Sequence, residues 1–136
     1  MIVEIARASS RALEALLERA LEAATEQRGG ALLAQTILAG RTTEQVVTEA
    51  VGLRALVIAR VGDTPVGFAL VANGVVTTVF VDVAYRRGGV ARGLLGALVT
   101  SQREVLDAYA LPGDRATKSR YESFGWKARL LTMRAE

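Results

Sequence analysis

Residues 81–92, Val-Asp-Val-Ala-Tyr-Arg-Arg-Gly-Gly-Val-Ala-Arg, constrain the fold of this chain more than any other stretch. They read as a β-strand running to Val83, an Arg-Gly turn, and the first turn of an apolar-striped helix. A glycine-containing turn that opens a helix aims several backbone N–H groups at one point, and the helix dipole adds partial positive charge there. Arg86, Arg87 and Arg92 add whole charges. Such a turn, here Gly88, Gly89, Val90 and Ala91, suits a phosphate or pyrophosphate. The strand before it, through Val81 and Val83, keeps backbone groups free to pair with the rest of an elongated ligand. Two other phosphate loops do not fit. A P-loop requires Lys-Ser or Lys-Thr after its last glycine, and neither follows Gly93. Gly88, Gly89 and Gly93 lack the Gly-x-Gly-x-x-Gly spacing of a dinucleotide fingerprint. A strand-to-helix turn that needs glycine only for its geometry would carry the same residues.

The rest of the composition narrows the chemistry. With 136 residues, 51% of them hydrophobic, the chain suits one domain, 1–136, with one core. It has neither cysteine nor histidine. That excludes disulfides, thiol nucleophiles, Ser-His triads and the usual zinc sites, so no metal is expected. Met1 to Ile5 lacks a basic segment followed by an apolar run, and Val66 to Val81 is broken by Gly67, Asn73, Gly74, Thr77 and Thr78. Neither a signal peptide nor a membrane span is read, and a cytoplasmic protein is the expectation. Residues 1–85 carry seven Arg against nine acids, whereas 86–136 carry ten Arg and Lys against five acids. The basic half holds the phosphate loop and suits a polyanionic ligand. Nucleic acid fits less well, because no aromatic residues interleave with the arginines.

Along the chain, Ile2 to Ala6 alternates weakly, as a first strand would. Ser9 or Ser10 caps a helix with Leu13, Leu17, Ala20, Leu21 and Ala24 on one face. Residues 27–40 fit strand and helix alike. Thr42 with Gln45 forms a capping box for a short helix to about Val51. Arg54 to Val61, Pro65 to Ala72 and Val75 to Val83 read as three strands joined by Gly62-Asp63-Thr64 and Asn73-Gly74. The helix after the loop presents Val90 or Ala91, Leu94, Leu95, Leu98 and Val99 to the core. Val105 to Ala110 is read as a short strand, Asp114 as the cap of a helix to about Phe124, and Trp126 to Met133 as a closing strand. A meander followed by strand, helix, strand, helix, strand makes an α+β domain.

Two motifs carry a resemblance. Arg86, Gly89 and Ala91 fill the pattern Arg-x-x-Gly-x-Ala, preceded by Tyr85 and followed by Leu94-Leu95. This is similar to the acetyl-coenzyme A loop of the GNAT N-acetyltransferase superfamily. Tyr121-Glu122-Ser123-Phe124-Gly125-Trp126 resembles the family's second signature, a helix ending in a tyrosine, then glycine and a large aromatic. The resemblance runs from about Arg54 to the C-terminus. It implies a mostly antiparallel, mixed, twisted sheet flanked by helices, with residues 54–136 binding the coenzyme and the first ~50 residues shaping the acceptor side. Three positions depart from the family pattern: Val83 replaces a frequent Pro, Gly88 a frequent Lys, Arg or Gln, and Asp114 a frequent Asn. Asp114 is also a good N-cap in its own right.

The resemblance implies direct transfer of acetyl from acetyl-CoA to an amine. It places residues 81, 83, 86–92 and 114 at the coenzyme, with an oxyanion donor on the strand near Val81. Tyr121 is the implied acid for the leaving thiolate. No pattern selects a base; Asp82 and Glu104 are the nearest carboxylates in sequence. Tyr85 and Tyr109 are candidates for the cleft wall, with strand packing favoured for Tyr109. The acceptor is a small-molecule or protein amine, and a homodimer is compatible with these features. A coenzyme A-binding module without turnover would carry every loop residue, and a basic nucleic-acid-binding protein is the remaining alternative.

Overall fold

In the computed structural model, which describes residues 1–101 and 106–135, five strands form one sheet in the order β1-β2-β3-β4-β5. The strands are β1 Ile2–Ile5, β2 Leu56–Val61, β3 Thr64–Ala72, β4 Val75–Val81 and β5 Asp107–Ala108. The first four form an antiparallel meander, and β5 joins β4 in parallel. Asn73 and Gly74, the two central turn residues between β3 and β4, both take positive φ (52° and 77°), the geometry of a type I′ hairpin turn. The result is the mixed, mostly antiparallel α+β architecture expected from the sequence.

Alternation along the strands sends their side chains to two separate cores. Leu56, Ile58, Phe68 and Leu70 face α1 Arg11–Thr25, α2 Gly30–Leu38 and α3 Thr43–Gly52. Val57, Ala59, Val66, Ala69 and Val76 face α4 Val90–Ser101 and Tyr121 of α5 Arg115–Ser123. Gly67 on β3 lets α4 approach: a Cβ there would meet Phe80 O at 3.0 Å and Leu94 and Val90 at 3.3 Å. Ser10 is the cap of α1 and accepts from the Leu13 N–H at 3.1 Å, and the Thr42–Gln45 capping box opens α3. Leu16 belongs to the buried face of α1, whereas Ala24 at its end is only half-buried.

The stretch that fits strand and helix alike is α2. Arg41 ties its last turn down, donating to Ile37 O and Leu38 O at 3.0 Å and pairing with Glu49 of α3. Gly30 lets α2 start against the end of α1, since a Cβ there would stand 1.5 Å from Ala24 O. Gly30→Ala must push the two helices apart. Its expected cost is about 3 kcal/mol, at the upper end for over-packing, or roughly 10 °C in melting temperature. An unchanged thermal melt would contradict this packing.

Four expectations are corrected. Strand β4 stops at Val81 and Val83 lies beyond it, 74% exposed, because Asp82 turns the chain into a 3-10 turn, Val83–Tyr85. Val99 is 46% exposed, since the apolar stripe of α4 runs through 90, 91, 94, 95 and 98, one helical step away. The strand read over 105–110 is Asp107–Ala108 among the described residues; Val105 lies outside them. Among the described residues, no closing strand follows Trp126. The Trp126 indole N–H donates to Leu106 O at 2.9 Å, after which the chain leaves the sheet with Leu130 91% exposed. A two-residue β5 offers little edge to pair with, and Leu130-Leu131 breaks the alternation a half-buried strand needs.

Candidate functional site

β4 and β5 are paired only at one end. Val75 and Val76 align with Asp107 and Ala108, and the Tyr109 N–H reaches Val76 O at 2.9 Å. Beyond that point β4 runs on to Val81, and no described strand pairs with its β5-side edge. The Asp82 N–H bonds Val66 O on β3 at 2.8 Å. In an antiparallel ladder, backbone groups alternate between the two sides. Residues 82, 80 and 78 therefore point theirs at β3, and 81 and 79 point theirs at the open edge. The Val81 amide N–H thus lies on that edge, while its side chain is buried against α4.

The open edge leads straight into the loop. Asp82 caps the 3-10 turn, its Oδ1 accepting from the Ala84 N–H at 3.3 Å. Arg87 (φ 67°) and Gly89 (φ 81°) are both left-handed. Left-handed residues interleaved with others turn successive N–H groups inward, which makes an anion-binding nest. The first bond of the helix runs from Gly93 N–H to Gly89 O at 3.0 Å, so the N–H groups of Val90, Ala91 and Arg92 close no turn. Val90 and Ala91 anchor their side chains in the core, whereas Arg87, Gly88 and Arg92 are exposed. A Cβ on Gly89 would meet nothing within 4 Å, so the mouth is clear.

Two residues expected at the coenzyme also have partners within the protein. The Arg86 Nε–H donates to Val81 O at 3.0 Å, and its guanidinium lies 5.7 Å over the Phe80 ring. Asp114 spends both carboxylate oxygens on its own helix, accepting from the Thr117 N–H at 3.1 Å and the Thr117 hydroxyl at 2.6 Å. Tyr121 sits in the same core as Val81 and Val90, 4% exposed, with its ring 5.5 Å from that of Trp126. Its hydroxyl is buried and has no hydrogen-bond partner. Burial pushes the phenol well above its ordinary value, the Asp114 carboxylate adds to this, and Arg120 opposes it. The group therefore keeps its proton throughout the neutral range.

Sequence reasoning missed how the N-terminal helices reach both rims. Arg19 of α1 pairs with Asp82 at 3.3 Å, at the end of β4. The α1–α2 turn meets the loop after β5, where a Cβ on Gly29 would lie 3.6 Å from Leu111 and 3.7 Å from Pro112. These partners are far apart in the chain and share no local pattern. Tyr85 and Tyr109 are 40% and 45% exposed; Tyr109 follows β5 and is not packed within a strand. Glu104 lies outside the described residues. Among the described residues, no three His, Cys, Asp or Glu could share a metal, and no helix is long and apolar enough to cross a membrane.

A family model described as an acetyltransferase (GNAT) domain matches residues 23–132. The chain belongs to the GNAT acetyltransferase family. Among solved structures, a ribosomal-protein-alanine N-acetyltransferase from Brucella melitensis biovar Abortus 2308 is 22% identical, covering 98% of this chain and 100% of its own, with a TM-score of 0.55. AAC(6')-Iy, in complex with the bisubstrate analog CoA-S-monomethyl-acetylneamine, is 18% identical over 88% of this chain and 93% of its own, with a TM-score of 0.49. A search of curated proteins finds no match. The fold shared with the Brucella protein covers 98% of the chain, and the family model begins at residue 23, well before the Arg54 where the resemblance of the motifs starts.

Proposed function

We propose that this GNAT protein moves acetyl from acetyl-CoA directly onto a primary amine. The observation that carries the reading is the open edge of β4 running into the nest at Arg87–Arg92. An extended, amide-bearing arm can pair with the backbone of Val79 and Val81, and a pyrophosphate can sit on the N–H groups of Val90, Ala91 and Arg92. Arg87 and Arg92 supply charge at the mouth. The orphaned Tyr121 hydroxyl fits the same ligand, because a buried donor without a partner costs about 1–3 kcal/mol unless something accepts from it.

Acetyl-CoA supplies an activated acyl carbon. Around that carbon, the Val81 N–H is the donor for the oxygen as it gains charge. The amine nitrogen bonds to the acyl carbon, the carbon–sulfur bond breaks, the Tyr121 proton goes to the sulfur, and the nitrogen's surplus proton leaves through water and restores the phenol. Without histidine, the proton of the incoming ammonium leaves to water or, through water, to a carboxylate. Asp82 at the end of β4 is one such group, though Arg19 and Ala84 already bond to it.

The acceptor enters beside α1 and the α1–α2 turn, which touch both rims of the cleft. The reading is tested by a panel of small amines, amino acids, aminoglycosides and peptide amines, following free thiol released from acetyl-CoA. At least one acceptor is expected to release thiol in proportion to enzyme. Saturable coenzyme binding with no release on any amine would mark a binding module instead.

A further inference from the structure

Arg86 opens the phosphate-loop motif, yet its side chain reaches back to the strand. Its Nε–H bonds Val81 O at 3.0 Å while the guanidinium covers the Phe80 ring at 5.7 Å. The peptide unit joining Val81 to Asp82 is thereby held at both ends, since the Asp82 N–H bonds Val66 O at 2.8 Å. The neighbouring peptide carries the Val81 N–H on the open edge. Freedom of the 81–82 unit would also turn that N–H.

We infer that Arg86 is a positioning residue, which fixes the end of β4 for the coenzyme's arm and thioester, and not a phosphate ligand. This rests on the acetyl-CoA reading of the site. Its Nε–H and one face of its plane are already engaged, so only the terminal N–H groups are left to meet a phosphate. Arg87 and Arg92 stand exposed at the loop, where a phosphate would meet them. The two roles use different properties of the same side chain. A phosphate contact uses its charge, which lysine also carries. The hold on Val81 uses a planar group that donates from Nε while stacking on a ring, which lysine cannot reproduce.

Calorimetric titration of acetyl-CoA into wild type, Arg86→Lys, Arg86→Gln and Arg87→Gln, at several salt concentrations, separates them. Arg86→Lys is expected to bind about tenfold more weakly, because the coenzyme must then order a strand end that the lost charged-donor bond had held. Its slope of log Kd against log salt should match wild type. Arg87→Gln should flatten that slope, because a charge near the phosphates is lost. Amide hydrogen exchange gives a ligand-free readout: the Asp82 N–H should exchange faster in Arg86→Lys and Arg86→Gln and not in Arg87→Gln. Wild-type affinity in Arg86→Lys, with a flattened slope only in Arg86→Gln, would overturn the inference, as would unchanged Asp82 exchange. If Arg86→Gln does not fold, Arg86→Lys decides alone. A wild type that does not bind acetyl-CoA would instead refute the reading of the site.

Discussion

Tyr121→Phe is expected to lower turnover by roughly 10²-fold or more, the range for losing a positioned general acid, while the protein melts at the same temperature or higher. The two halves of this result have one cause. The Tyr121 hydroxyl is buried, lacks a partner, and is held protonated by burial and by Asp114. Phenylalanine keeps the ring contact with Trp126 and removes the unsatisfied oxygen, a change worth up to about 1–3 kcal/mol of stability. Alkali should separate the proteins further. A phenol whose folded value is raised contributes stability that is complete below the unfolded value near 10 and is lost as pH rises through the folded value. Wild type should therefore weaken progressively above about pH 10, and Tyr121→Phe should lack that component. Alkaline melts together with turnover per folded molecule check both halves. A destabilised Tyr121→Phe with normal turnover would make Tyr121 a packing residue.

Gly89→Glu should abolish measurable acetyl-CoA binding and leave the fold standing. Gly89 has φ 81°, a conformation that costs a side-chain-bearing residue about 1–2 kcal/mol. Its Cβ direction is otherwise clear, so the strain is local. A glutamate there sets a negative charge at the mouth of a nest whose free N–H groups suit phosphate. Gly89→Ala carries the same backbone strain without the charge, so it should fall between wild type and Gly89→Glu in affinity and match Gly89→Glu in melting temperature. Unchanged affinity in a folded Gly89→Glu protein would place the phosphates elsewhere.

What the sequence revealed and what it hid divide along contact range. The Ser10 and Asp114 caps, the Thr42–Gln45 box and the Asn73-Gly74 turn are set by residues within four of one another, and each stands as read. The ambiguous stretch at 27–40 became helix because Gly30 and Arg41 fit it against its neighbours, which no periodicity in nine residues encodes. The loop is legible as a phosphate turn whose motif opens at Arg86, but the motif does not tell where the Arg86 side chain ends. Where a long side chain ends depends on what lies behind it, here Phe80 and a free carbonyl. In the same way, the Arg19–Asp82 pair and the Gly29–Leu111 contact join segments that only the assembled sheet brings together. The tail after Trp126 had strand composition and no partner edge long enough to take it.

Transfer through this cleft is tested most directly by following the acetyl group itself. The protein is mixed with acetyl-labelled coenzyme A and an amine from the panel, and the label is assayed on coenzyme, protein and amine as thiol appears. Direct transfer predicts one label on the amine for each thiol freed, with none left on the protein at any time. Label accumulating on the protein, or coenzyme bound and recovered intact with every amine, would contradict it.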